Sequence, residues 1–261
     1  MNVERHFHGQ DDDRYHVLEA GIGPGRIVCF PAVGDSASSY HRVLPALVEA
    51  LDGRVRATAV DPPGYGRSVQ KSGHIPDFAR LMDWAGQMCA DEAGPLLFVG
   101  NSSGGAMATA AALAAGERTA GLVLVCWPDW RVGRLPIDTL LPTDIAALEA
   151  LLASAWHQPP EVPEGMAAML LQRYASDAFR AHVRSLEPDL VLARYDAYTG
   201  PLDFIGGASD DLVPVEILRA SVDRRPQARL RVLEACGHFP HRERPEAWVE
   251  AVATVAAPHL G

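Results

Sequence analysis

Cysteine is scarce in this chain, with four residues among 261. No two of them are spaced as Cys-x-x-Cys, the arrangement that many structural zinc sites use. Cys29 and Cys126 stand inside apolar runs, which is typical of buried thiols. We therefore predict free thiols, no metal site and the cytoplasmic location in which such thiols persist.

Positive charge is also in short supply, because 23 lysines and arginines stand against 33 aspartates and glutamates, for a net charge of −10. An acidic surface disfavours nucleic acids and anionic membranes as partners. No apolar stretch reaches the roughly 18 residues that a membrane-spanning helix needs. Residues 1–19 are polar and charged and lack the apolar core of a signal peptide. The sequence predicts no nucleic acid partner and no membrane insertion.

What the chain does have is a regular alternation of strand and helix patterns. Short apolar runs are separated by segments with apolar residues at helical spacing, which predicts an α/β fold with a mostly parallel central sheet flanked by helices. The strands are predicted at residues 26–31, 55–60, 96–99, 122–125, 202–205 and 230–233. This alternation assigns residues 1–130 and 200–261 to the core.

Residues 131–199 break the alternation, because they carry helical patterns and several prolines without strands between them. We predict that this block is an inserted helical lid. The active sites of open α/β sheets lie at the carboxyl ends of the strands, and an insertion after such a strand can cover them.

The most informative chemical signal is the run Gly100-Asn101-Ser102-Ser103-Gly104, which follows an apolar strand and precedes a small-residue helix. In that context Gly-x-Ser-x-Gly is typical of a nucleophile elbow, a strained turn that presents a serine hydroxyl at the top of a sheet. Ser102 is the predicted nucleophile. The alternative interpretation is an ordinary turn serine.

A serine nucleophile needs a base, and the base needs an orienting acid. Asp210 and Asp211 follow the strand predicted at 202–205, and His238 follows the strand predicted at 230–233. All of these candidates stand at carboxyl ends of strands, so they can converge at one edge of the sheet. Such chemistry requires no cofactor and no metal.

Four motifs, in this order, resemble those of α/β-hydrolase fold proteins. They are Asp61-Pro62-Pro63-Gly64-Tyr65-Gly66-Arg67-Ser68, the Gly100–Gly104 elbow, Gly207-Ala208-Ser209-Asp210 with Pro214, and Gly237-His238-Phe239-Pro240. The resemblance runs from about residue 25 to 250, which is nearly the whole chain. The resemblance implies a serine hydrolase with the triad Ser102, His238 and Asp210. Asp211 stays open as the acid, and so does Asp129, because some members of the fold place the acid after an earlier strand.

The resemblance also implies an oxyanion hole made of two backbone N–H groups. One belongs to Ser103, and the other to the loop after residue 31. Many relatives carry His-Gly-x-Gly there, whereas this chain has Pro31-Ala32-Val33-Gly34, so by position Val33 supplies the second group. This loop looks like that of discrete thioesterases of polyketide and peptide synthases. The elbow is similar to that of hydrolases that cleave carbon–carbon bonds.

The sequence says less about the substrate than about the catalytic residues. Candidate pocket residues lie between the elbow helix and the middle of the insertion, and they are Trp127, Trp130, Trp156 and His157. If they line a pocket, the substrate is a small acyl compound with a bulky apolar or aromatic part. An acyl carrier protein is a further candidate partner.

We predict hydrolysis of an ester or thioester through an acyl-enzyme. Two alternatives use the same triad, namely carbon–carbon bond hydrolysis and transfer of the acyl group to another acceptor, as in cyclisation. A third is a ligand-binding member of the fold without catalytic activity. A fluorophosphonate that labels an activated serine distinguishes this last alternative from the enzymes.

Overall fold

The computed structural model describes residues 2–9, 14–68, 73–90, 92–133 and 137–260. Its strands are β1 (Glu4–His8), β2 (Tyr15–Ala20), β3 (Gly25–Phe30), β4 (Val55–Asp61), β5 (Leu96–Asn101), β6 (Thr119–Val125), β7 (Leu202–Gly207) and β8 (Arg229–Leu233). In the described ranges they form one eight-stranded sheet in the order β1-β2-β4-β3-β5-β6-β7-β8. β2 pairs antiparallel with β1 and β4, and the other pairs are parallel. The predicted α/β fold class is confirmed.

Helices cover both faces of this sheet, and alternate residues of β3 point to opposite layers. Ile27 and Cys29 join a buried cluster with α1 (Val43–Ala50) and α10 (Pro245–Leu260). The intervening residue Val28 joins a second cluster. The helices of that second layer are α2 (Phe78–Cys89), α3 (Gly104–Ala115) and α8 (Val215–Asp223). Burial on both faces explains why the strands read as nearly continuous apolar runs.

Between β6 and β7 the chain leaves the sheet. In the part of this segment that the structure describes, it forms α4 (Ile145–Ala155), α5 (Glu164–Ala175), α6 (Asp177–Arg184) and α7 (Pro188–Ala197). The Asp144 and Ser176 side chains cap the first turns of α4 and α6. A last short helix, α9 (Pro240–Glu243), lies between β8 and α10. No described helix is both long enough and apolar enough to cross a bilayer.

A buried histidine fastens this insertion to the core. His182, on α6, donates its Nδ1–H to the carbonyl oxygen of Pro76 at 2.6 Å and accepts from the Tyr65 hydroxyl at Nε2 at 2.8 Å. Because a carbonyl only accepts, Nδ1 carries the proton. Burial lowers the pKa of His182 to about 4, so the ring is neutral at physiological pH.

We expect this histidine to make folding stability depend on pH. In the unfolded chain its pKa is about 6.5, so between pH 6.5 and about 4 the unfolded state binds a proton that the folded state does not. The stabilisation is present above this window, and about 3 kcal/mol is lost as the pH falls through it. Urea unfolding of wild type and His182→Gln between pH 7.5 and 4 isolates this contribution from that of the other histidines. Parallel stability curves for the two proteins would contradict it.

Candidate active site

Ser102 occupies the tight turn between β5 and α3. Its φ is +51°, in the left-handed region that residues other than glycine seldom adopt. The flanking glycines permit the turn, because a Cβ on Gly100 would lie 2.5 Å from the carbonyl oxygen of Gly104. The backbone N–H of Ser102 donates to the carbonyl of Val125 at 2.7 Å. The turn therefore fixes Ser102 at the carboxyl end of β5 and at the N-terminus of α3.

His238 and Asp210 form a buried pair beyond the carboxyl ends of β8 and β7. His238 Nδ1 lies 2.8 Å from Asp210 Oδ2. The other carboxylate oxygen of Asp210 accepts the backbone N–H groups of Leu212 and Val213, each at 3.0 Å, which fixes the orientation of the carboxylate. With Nδ1–H donating to Asp210, Nε2 of His238 is the unprotonated nitrogen, as a general base requires.

The two alternative acids have other surroundings. Asp129 is buried, and its two oxygens each lie 3.0 Å from the guanidinium of Arg131. Burial raises the pKa of Asp129, but the hydrogen bonds and charge of Arg131 outweigh it and hold that pKa below its usual value. Asp211 is exposed. Of the three aspartates, Asp210 is the one whose carboxylate contacts His238.

A small cavity joins the candidate nucleophile to the candidate base. It encloses about 80 Å³, and both Ser102 and His238 form part of its wall. Among the described residues no lysine, arginine, aspartate or glutamate lines it. The remaining wall, much of it from the insertion, consists of Ala32, Val33, Leu140, Leu151, Leu152, Ala155, Trp156, Tyr174, Phe179, Leu212 and Phe239. Larger surface depressions near Asp203 and near Val249 lack both Ser102 and His238.

Of the two expected oxyanion donors, Ser103 follows Ser102 directly in the chain, and Val33 lines the same cavity as Ser102. The backbone N–H of Val33 donates to the hydroxyl of Ser103 at 2.8 Å. Ser103 precedes the first turn of α3, yet its side chain caps no N–H of that helix. The first N–H groups of a helix lack intrahelical acceptors and attract negative charge. The N-terminus of α3 therefore suits an anionic oxygen beside Ser102.

Of the four candidate pocket residues, Trp156 lines the cavity, whereas the structure places the other three elsewhere. Trp127 is fully buried and stacks on Tyr195 of α7, with ring centroids 5.8 Å apart. Trp130 meets the Trp127 ring edge-on at 5.8 Å. His157 is exposed. The two tryptophans thus hold the insertion against the core.

Sequence reasoning overlooked two side chains beside the His238–Asp210 pair. The Cys126 Sγ atom, a carboxylate oxygen of Asp210 and a ring nitrogen of His238 lie within 4.8 Å of one another. Burial raises the pKa of the Cys126 thiol well above its usual value, which keeps it protonated. Asn101 Nδ2 donates to the carbonyl of His238 at 3.2 Å. Both stand at the carboxyl end of a predicted strand, and Asn101 also lies inside the elbow motif.

Comparisons with known proteins identify the fold family. The sequence model of the alpha/beta hydrolase family matches residues 27–251. The chain is 26% identical to a pimeloyl-[acyl-carrier protein] methyl ester esterase of Aeromonas hydrophila, over 89% of this chain and 95% of the relative. It is 25% identical to a 2-hydroxy-6-oxononadienedioate/2-hydroxy-6-oxononatrienedioate hydrolase of a Pseudomonas species, over 95% and 94%.

Solved structures give the same fold. A thermophilic esterase superposes with a TM-score of 0.78 at 22% identity, covering 100% of this chain and 99% of that one. Because the family match extends over most of its length, this chain belongs to the alpha/beta hydrolase family.

Proposed function

We propose that this protein is a serine hydrolase that cleaves an ester or thioester through an acyl-enzyme on Ser102. The observation that carries the proposal is that Ser102 and His238 share the wall of one cavity, while Asp210 bonds the other side of the imidazole. A serine alone is a weak nucleophile at neutral pH, and a base oriented by an acid is what activates it. The names of the esterase relatives support the same reaction class.

In the proposed reaction, His238 Nε2 takes the proton from Ser102 Oγ as that oxygen attacks the carbonyl carbon. The tetrahedral intermediate collapses when His238 gives the proton to the leaving alcohol or thiol. Water, deprotonated by the same nitrogen, then attacks the acyl-enzyme, and His238 returns that proton to Ser102 Oγ as the bond between this oxygen and the acyl carbon breaks and the acid is released. Throughout, Asp210 keeps the Nδ1–H oriented and stabilises the imidazolium.

We assign oxyanion stabilisation to the backbone N–H groups of Ser103 and Val33. Before reaction, the Val33 N–H donates to the neutral Ser103 hydroxyl. A hydrogen bond to a charged group contributes about 1.5–3 kcal/mol, against about 1 kcal/mol for a neutral pair. Turning the Val33 N–H to the oxyanion is therefore favourable once the charge develops. Because the gain arises only then, it lowers the barrier to reaction.

The proposed acyl group is short and apolar. The cavity of about 80 Å³ is roughly half the size of one that holds benzene, about 150 Å³. A cavity of this size is too small for the bulky or aromatic group expected from the sequence, and Trp127 and Trp130 pack in the core rather than in its wall. The Pseudomonas relative is named for dioate substrates. A carboxylate would meet an apolar wall here, which is unfavourable.

We expect kcat/KM for p-nitrophenyl butyrate to exceed that for the octanoate by about tenfold or more, because each excess methylene must displace wall atoms. Tyr174→Ala removes a ring from the wall and should raise the octanoate-to-butyrate ratio about tenfold. Met169→Ala, at an exposed position on the same helix, is the matched control. A ratio that Tyr174→Ala leaves unchanged counts against this pocket.

Two further substrates, a thioester bound to an acyl carrier protein and a vinylogous diketone, separate the proposed reaction from its alternatives. The Aeromonas relative is named for an ester carried on an acyl carrier protein. Faster turnover of a carrier-bound thioester than of the free thioester would add a carrier protein as partner. Turnover of a vinylogous diketone without ester hydrolysis would replace the proposal by carbon–carbon bond cleavage.

A further inference from the structure

We propose that Glu243 is a positioning residue for His238, and that it fastens the histidine loop to the end of α4 in the inserted segment. The inference rests on the proposed function, in which His238 is the base. Glu243 ends the short helix α9 that follows this loop. Its carboxylate is half-buried and faces the loop and the insertion at once.

The carboxylate accepts three backbone N–H groups. Oε1 accepts from Gly237 at 3.1 Å and from Phe239 at 3.3 Å, the two neighbours of His238. Oε2 accepts from the N–H of His157, just beyond α4, at 2.9 Å. Only a carboxylate offers two acceptor oxygens without a donor, so neither an amide nor a hydroxyl could replace it fully.

The end of α4 supplies the remaining contacts of the loop. The backbone N–H of His238 donates to the carbonyl of Ala155 at 2.7 Å, so three consecutive N–H groups of the loop are held by α4 and Glu243 together. The approach is close, because a Cβ on Gly237 would lie 2.8 Å from the Cα of Trp156.

The acid loop is held by the same segment. The N–H of Asp211, next to Asp210, donates to the carbonyl of Ser154 at 2.9 Å. His157 Nδ1 lies 2.9 Å from the hydroxyl of Ser209, on the other side of Asp210. Residues 154–157 therefore brace both loops of the His238–Asp210 pair.

The cavity wall consists of a part that is bonded to the histidine loop and a part that is not. Residues 154–157 cannot move away without releasing the backbone of His238. The wall residues Tyr174 and Phe179, on α5 and α6, carry none of these bonds among the described contacts. Movement of α5 and α6 would therefore widen the cavity without releasing the backbone of His238. Trp156 lies within the braced segment, so an acyl group that presses on it also presses on the support of His238.

The test compares Glu243→Ala and Glu243→Gln with Glu250→Gln, which alters an exposed carboxylate on α10. For a short aryl ester we expect kcat to fall about 10²-fold in Glu243→Ala and about tenfold in Glu243→Gln, because small misplacements of a catalytic group have effects of this size. KM should stay within about threefold, and fluorophosphonate labelling should slow by the same factors as kcat. Glu250→Gln should match wild type. If Glu243→Ala does not fold, the kcat of Glu243→Gln tests the positioning role instead.

Wild-type kcat in folded Glu243→Gln and Glu243→Ala, or a loss confined to KM, would overturn the positioning role. A second readout is independent of activity. The proton resonance of His238 Nδ1–H, identified by its loss in Asp210→Asn, should lie downfield in wild type and Glu250→Gln and move in Glu243→Gln. If wild type hydrolyses no ester, the proposed function fails, and an unchanged resonance would separately refute the role of Glu243.

Discussion

Ser102→Ala is expected to lower kcat for ester hydrolysis by about 10⁴-fold or more while the protein stays folded. Loss of a catalytic serine in a triad enzyme costs about 10⁶-fold in the best-measured case, and the remainder comes from the oxyanion hole and substrate binding. Here the N-terminus of α3 and the apolar wall stay in place, so KM should change little. Steady-state kinetics with p-nitrophenyl butyrate, after removal of contaminating esterases, measures both constants.

Ser102→Ala should leave the fold of the turn unchanged. Ser102 is held at φ +51° by its backbone bond to Val125 and by the glycines of the turn, and alanine keeps all of these. Ser38→Ala, which removes an exposed hydroxyl, is the control for handling and purity. Hydrolysis by Ser102→Ala within tenfold of wild type would exclude a covalent mechanism on this residue.

Asp210→Asn is the second large effect, with kcat expected to fall by about 10³–10⁴-fold. An asparagine of the same shape cannot accept the Nδ1–H with a charge, and its amide favours the wrong tautomer of His238. The bonds from Leu212 and Val213 to the remaining oxygen favour retention of the local backbone. Kinetics across pH 5–9 gives the comparison.

The controls for this prediction are the other two aspartates. Asp211→Asn changes an exposed side chain and should leave kcat within about threefold. Asp129→Asn removes the charge that pairs with Arg131, so we expect lower stability and a kcat close to wild type in the folded fraction. A collapse of kcat in Asp129→Asn together with a nearly normal Asp210→Asn would move the acid to the earlier strand.

Much of the fold followed from local signals. The apolar runs around Leu96–Val99 and Leu122–Val125 are strands buried on both faces, and such strands need no long-range information to be recognised. The prediction that candidate residues gather at the carboxyl ends of strands follows from parallel topology alone. The elbow could be recognised from the sequence because Gly100 and Gly104 have no room for a side chain, so the turn requires glycine at both positions.

The features of the site that the sequence did not predict depend on the direction in which side chains point once the chain has packed. Trp127 follows β6 and Cys126, and nothing in its sequence position shows that its ring turns under α3 toward Tyr195 rather than into the cavity. The bond from Val33 to Ser103 joins two loops 70 residues apart. The role of Glu243 could not be predicted from the sequence, because its three N–H partners lie on two separate segments.

Everything proposed for this site depends on Ser102 being a nucleophile that His238 activates. The most direct measurement of this activation is labelling with a fluorophosphonate, followed by mass spectrometry of the intact chain and of its peptides. We expect one adduct per chain, located on Ser102, with labelling slowed at least about 10³-fold in His238→Ala. No adduct on the folded wild-type protein, or an adduct on another residue at equal rate in Ser102→Ala, would contradict it.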